Sequence, residues 1–249
     1  MQAVVNNLLI NYSRQGSGEK LVLLHGWANS LKDMSGLFDD LSKNYDVISL
    51  DLPGFGASQT PKEAWGLEAY AKFLTGFLNK IGAGDVYALI GHSNGGAIAI
   101  KSIAEDHLSP TKLVLLSVSG IRYNKQGRKG LIKAATKTAK VATLALPKST
   151  RQKLRKKLYS TLKSDLLVAE HMSGSFKKIV SEDLSRDASK INIPTLLIYG
   201  EADDQTPLAD GQLYHELIKN STLEVISSAG HFIQKENPDL VVKLIRDFL

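Results

Sequence analysis

"ALIGHSNGGAIAI", residues 88–100, sets one serine between glycines two positions away on either side, where an apolar strand-like run gives way to a helix-like one. A hydroxyl at such a junction becomes chemically useful only if the chain also supplies a base, an acid and an anion site. The five-residue match alone is weak, because 20 Gly and 23 Ser in 249 residues give roughly a one-in-seven expectation of G-x-S-x-G by chance. Its setting carries more weight. Gly91-His92-Ser93-Asn94-Gly95 closes a buried-strand pattern and opens a helix, the setting that a nucleophile elbow requires. Such a turn holds its serine in a backbone geometry that costs on the order of 1–3 kcal/mol. Glycines on both sides let neighbouring backbones approach, and the positive end of the helix lies under the hydroxyl. The plainer reading is a serine capping a helix after a glycine-rich turn.

Outward from this stretch, similar short runs recur: "KLVLLHG", "YDVISLD", "KLVLLSV", "TLLIYG" and "TLEVISS". They are apolar on successive residues instead of alternating, as strands buried on both faces are. Between the second strand and the serine strand, Leu67, Tyr70, Phe73, Leu74, Phe77, Leu78 and Ile81 form a stripe at helical spacing that stops before Gly82. Strand, helix, strand is therefore the repeating order. "AVVNNLLINY" reads as a hairpin turning at Asn6-Asn7, since asparagine tolerates the left-handed backbone of a tight turn.

The rhythm breaks after Arg122, where lysine-rich amphipathic helical patterns such as "KGLIKAATKTAKVATLAL" replace strands until "INIPTLLIYG". Residues 122–187 are read as a helical cap inserted between the two parts of the core, 1–121 and 188–249. The net charge of +6 hides an asymmetry, because residues 122–190 carry 18 Lys or Arg against 5 Asp or Glu, leaving the remainder at −7. A basic cap could make weak contact with anionic surfaces. No nucleic-acid motif accompanies it, so no nucleic-acid partner is expected. With no cysteine, disulfides and sulfur metal sites are excluded. The opening "MQAVVNNLLINY" lacks the features of a secretion leader, and no apolar run approaches the roughly 20 residues that cross a bilayer. A soluble protein, with the cytoplasm as default location, is expected.

The base should be one of six histidines. His25 and His92 adjoin turns, His107 ends a helical run, His171 lies in the cap and His215 lies within a helical pattern. His231 differs: "SSAGHFIQKENP" places it after the last strand run and before a helix opened by Pro238, in a strand-end loop where open α/β sheets gather ligands. The orienting carboxylate should follow another strand, and "LLIYGEADDQTP" offers Asp203 and its neighbour Asp204.

With "LLHGWANS", "DLPGFGAS", "GHSNGG", "YGEADDQTP" and "GHFIQKENP" in this order, the chain resembles the capped α/β-hydrolase superfamily from about Leu8 onward, faintly across 122–187. The resemblance implies an α/β fold: a mostly parallel, eight-stranded-type sheet flanked by helices, with an inserted helical cap. It places the acid three residues after the strand-ending Gly200 and four before Pro207, hence at Asp203, and the histidine directly after Gly230. It also implies an oxyanion hole from the backbone amides of Trp27 and Asn94. The Trp27 indole either lines the acyl pocket or belongs to the core, with lining the favoured reading. "DLPGFGAS" is expected to be scaffold, with Asp51 bracing the turn.

The implied activity is a cofactor-free serine hydrolase of the carboxylesterase type, in which Ser93, His231 and Asp203 cleave a small-to-medium ester. The alternatives are a carbon–carbon bond hydrolase or lyase on the same triad, or a ligand-binding module with little turnover. No metal or organic cofactor is implied, and the glycine turns lack the lysine and spacing of phosphate loops.

Overall fold

The structure, a computed structural model, describes residues 1–122 and 169–249. Its eight strands are β1 (Gln2–Val5), β2 (Leu8–Gln15), β3 (Lys20–Leu24), β4 (Asp46–Leu50), β5 (Ala88–His92), β6 (Lys112–Leu116), β7 (Thr195–Gly200) and β8 (Ser221–Ile226). They form one sheet in the order β1-β2-β4-β3-β5-β6-β7-β8. β2 runs antiparallel to both β1 and β4, and every other pairing is parallel. The β1–β2 hairpin turns at Asn6 and Asn7, both with positive φ (48° and 62°), as the sequence reading expects.

The successive apolar residues of the central strands divide between two cores. Val22, Leu24, Leu89, Leu113, Leu115, Leu197 and Tyr199 face one side. Leu21, Leu23, Ile90, Val114, Leu116, Leu196 and Ile198 face the other. On the first side pack α2 (Leu67–Lys80), α3 (Asn94–Ala104) and α6 (Leu208–Leu217), through Tyr70, Phe73, Phe77, Ile98 and Tyr214. On the second pack α1 (Ser35–Leu41) and α8 (Pro238–Phe248), through Leu37, Leu41, Val241 and Ile245. Each fully buried aliphatic side chain contributes about 1.5–3 kcal/mol relative to exposure. Two-sided burial is thus what makes the unbroken apolar runs fold as strands.

Three short α-helices, α4 (Ser173–Ile179), α5 (Ser185–Ala188) and α7 (Ile233–Glu236), and two 3-10 helices, Leu31–Met34 and Glu170–Met172, complete the described residues. The lysine-rich patterns expected to form most of the cap, residues 123–168, lie outside the described residues. No helix among the described residues is long and apolar enough to cross a membrane.

The glycines around Ser93 hold the sheet and α3 at a separation that no side chain permits. A Cβ on Gly95 would stand 2.3 Å from the Leu24 carbonyl oxygen, and one on Gly91 would stand 2.5 Å from the Gly96 nitrogen. Exposed Gly36, on α1, would meet nothing within 4 Å. Gly95→Ala is therefore expected to destabilise the protein by roughly 1–3 kcal/mol, and Gly36→Ala to be neutral or stabilising by about 0.5 kcal/mol. Urea unfolding of the two variants against the parent measures both; equal midpoints would contradict the packing described.

Candidate active site

The parallel strands all end on one edge of the sheet, and the residues of interest follow those ends: His25-Gly26-Trp27 after β3, Ser93 after β5, Ser117 to Ser119 after β6, Asp203 after β7 and His231 after β8. Ser93 sits between β5 and α3 with φ 51° and ψ −115°, a region that L-residues rarely occupy. Surrounding hydrogen bonds maintain this geometry. The Ser93 N–H donates to the Leu116 carbonyl at 2.9 Å, and the Ser93 carbonyl accepts from Ala97 N–H at 3.1 Å. Asn94 is the first residue of α3, so its N–H has no partner within the helix.

A cavity of about 170 Å³ opens at this edge, lined among others by Trp27, Ser93, Asn94, Ser119, Phe176 and His231. Ser93 and His231 thus share one cavity, and no direct hydrogen bond joins the Ser93 hydroxyl to the ring in this conformation.

His231 and Asp203 are joined directly. Nδ1 of His231 lies 2.8 Å from Asp203 Oδ2, and both side chains are almost wholly buried. A carboxylate only accepts, so the proton sits on Nδ1 and Nε2 is left able to receive one. Asp203 Oδ1 accepts from the N–H groups of Gln205 and Thr206 at 2.8 and 2.9 Å. Burial alone would raise the Asp203 pKa. Hydrogen bonding and charge attraction from His231, with the donors of Thr206, outweigh it and hold the carboxyl at about 2. Neighbouring Asp204 is exposed, so of the two aspartates Asp203 is the one brought to the histidine.

The other histidines are accounted for by their neighbours. His25 links the loop after β3 to Leu52, whose N–H donates to Nε2 at 2.9 Å, while Nδ1 donates to the Gly26 carbonyl at 2.7 Å. His107 pairs with Glu68, His171 with the Gly54 carbonyl, and His215 with Ser221 Oγ. "DLPGFGAS" is scaffold, as expected: Asp51 accepts from Asn11 Nδ2 and from the N–H groups of Leu31 and Ala57, each at 2.8 Å. Phe55 from this loop packs edge-on against Trp27, with ring centroids 4.8 Å apart, and so supports the cavity wall.

Contacts of Thr206 and of His92 beside the site are not foreseen in the sequence. Thr206 Oγ1 lies 2.7 Å from Asp203 Oδ2, 3.0 Å from the Ser117 carbonyl and 3.2 Å from His231 Nδ1, touching Asp203, His231 and the segment after β6 together. A hydroxyl three residues beyond an aspartate in a turn is the available signal. His92, immediately before Ser93, donates from Nε2 to the His231 carbonyl at 2.9 Å. That contact spans 139 residues of chain, so no local pattern reveals it.

A model of the α/β-hydrolase fold family matches residues 20–238. The chain belongs to this family. It is 27% identical to the 2-hydroxy-6-oxo-6-phenylhexa-2,4-dienoate hydrolase of Comamonas testosteroni, over 98% of this chain and 92% of that protein. It is 23% identical to the pimeloyl-[acyl-carrier protein] methyl ester esterase of Legionella pneumophila strain Paris, over 96% and 99%. The enol-lactonase of Burkholderia xenovorans LB400 superposes with a TM-score of 0.77 at 20% identity, covering 100% of this chain and 99% of that one. This α/β-hydrolase is accordingly an enzyme of hydrolytic type.

Burial, with the charge of His231 adding to it, pushes the His92 pKa down to about 3. In this α/β-hydrolase the ring is therefore neutral, whereas in the unfolded chain it takes up a proton below about 6.5. The folded state binds fewer protons, so the contribution of His92 is complete above pH 6.5 and is lost as pH falls toward 3. In urea titrations, His92→Gln is expected to show a shallower loss of stability than the parent between pH 6.5 and 4. An unchanged slope would remove His92 as a source.

Proposed function

We propose that this enzyme is a serine hydrolase acting on small-to-medium carboxylic esters. The observation that carries the reading is the strained Ser93, opening on the same cavity as a buried His231 hydrogen-bonded to Asp203. Ser93 Oγ attacks the acyl carbon while His231 Nε2 takes its proton, and Asp203 holds the ring in the required tautomer and offsets its positive charge. The N–H groups of Trp27 and Asn94 stabilise the oxyanion, where losing one donor typically costs roughly 3–4 kcal/mol. The imidazolium then protonates the departing alkoxide, leaving an acyl-enzyme. Water, deprotonated by the same ring, attacks the acyl carbon and releases the acid and the free serine.

The named esterase among the relatives supports the ester class. Likeness to the dienoate hydrolase favours a second reading, in which the same groups cleave a carbon–carbon bond beside a ketone. Residues 122–187 are proposed to cap the pocket; the described part of that segment places Phe176, Ile179 and Val180 on the cavity wall.

A fluorophosphonate probe is expected to label Ser93 in the folded protein, and Ser93→Ala to abolish both labelling and turnover of 4-nitrophenyl esters. Absence of labelling in folded protein would overturn the proposal. Fast cleavage of a diketone with poor ester rates would select the second reading. Thr206→Val is expected to lower kcat about tenfold by loosening the Asp203–His231 pair, with Thr206→Ser restoring most of it. Because Asp203 stays ionised down to about pH 2, its titration is expected to leave no inflection in the rate profile above pH 4.

A further inference from the structure

Arg122 opens the basic segment and lies on the wall of the cavity that contains Ser93 and His231. Its side chain is oriented by two carbonyls: Nε donates to Val180 O at 2.9 Å and Nη1 to Ile121 O at 3.1 Å. The nearby carboxylate of Asp183 accepts the Arg122 backbone N–H at 2.8 Å, not the guanidinium, and takes the Ser185 N–H on its other oxygen. Among the described residues, no ion pair engages the guanidinium, and both N–H donors of Nη2 are without a protein partner.

The described cavity wall otherwise consists of the apolar Trp27, Phe176, Ile179 and Val180 with uncharged polar groups around the serine and histidine. A permanent cation oriented by carbonyl dipoles at the cavity wall is a counter-charge for a planar anion. A purely hydrocarbon acyl group would press against that charge without compensating it.

Resting on the serine-hydrolase reading, we propose that the substrate carries a carboxylate, on its acyl or its alcohol part, that pairs with Arg122 while the ester carbonyl sits at Ser93. Such a pair forms equally in ground and transition states, so its effect belongs mainly in KM.

The test compares esters that differ in charge: mono-4-nitrophenyl glutarate against 4-nitrophenyl pentanoate for the acyl side, and 4-(butanoyloxy)benzoate against phenyl butanoate for the alcohol side. In at least one pair, Arg122→Gln is expected to lower kcat/KM of the anionic ester at least tenfold more than that of its neutral partner, chiefly through KM. Arg122→Lys, which keeps the charge and loses the fork, is expected to fall between parent and Gln variant. Raising NaCl from 0.05 to 0.5 M is expected to narrow the parent's preference. Parallel changes in both members of both pairs would overturn the assignment of Arg122 while leaving ester hydrolysis intact. Absence of turnover of every ester, with no probe labelling of Ser93, would overturn the hydrolase reading and this proposal together.

Discussion

Backbone meeting backbone at residues 91–96 is the constraint on which the site depends. β5 must end, the chain must reverse into α3, and the end of β3 must pass close enough that the Leu24 and His25 carbonyl oxygens would touch any Cβ on Gly95. This proximity brings the loop bearing Trp27 next to Ser93. A bulkier elbow would separate that loop from the amide of Asn94 at the start of α3. The strain at Ser93 is sustained by the rigid layers around it, since β3, β5 and β6 bury both faces and cannot relax outward.

The histidine loop is held from two sides by different chemistry. Asp203 engages the ring through its Nδ1, and His92 engages the backbone through the His231 carbonyl. Glu236 accepts from the Gly230 N–H at 2.6 Å, and Lys235 pairs with Asp33 of the segment following Trp27. The end of β5 and the loops after β3, β7 and β8 are therefore tied to one another, so the site behaves as part of the core and not as a set of independent surface loops. Gly200 permits the same close approach beside Asp203, where its Cβ would stand 2.3 Å from the Gly230 carbonyl oxygen.

Electrostatically the edge divides into a carboxylate held ionised in the interior and a cation at the cavity wall. Asp203 is desolvated yet kept low by donors supplied within its own turn and by His231. The Arg122 guanidinium donates to carbonyls and makes no direct ion pair among the described residues, while the Asp183 carboxylate attracts it from nearby. The first arrangement suits orientation of a ring, and the second suits recognition of something brought from solution.

Much of this was legible in the linear chain. Continuous apolar runs indicated two-sided strands because alternate residues must feed two different cores, as Leu21 and Val22 do. The glycine spacing around Ser93 and the Asn-Asn turn were readable because steric demand is local. The short α1 carried no strong periodic signal, since seven residues with two buried positions make too narrow a stripe. Residue type alone does not separate Asp203 from Asp204; the spacing of the family resemblance picks Asp203, and the structure agrees by burying it against His231 while leaving Asp204 exposed. The contacts of Thr206 with Ser117 and of His92 with His231, and the orientation of Arg122 by Val180, join residues 58 to 139 positions apart. Sequence determined which segments become strands and where the chain turns sharply, because those depend on neighbouring residues. Tertiary structure decided which polar groups meet, because hydrogen bonds across a sheet edge depend on strand order and register, which no single segment encodes.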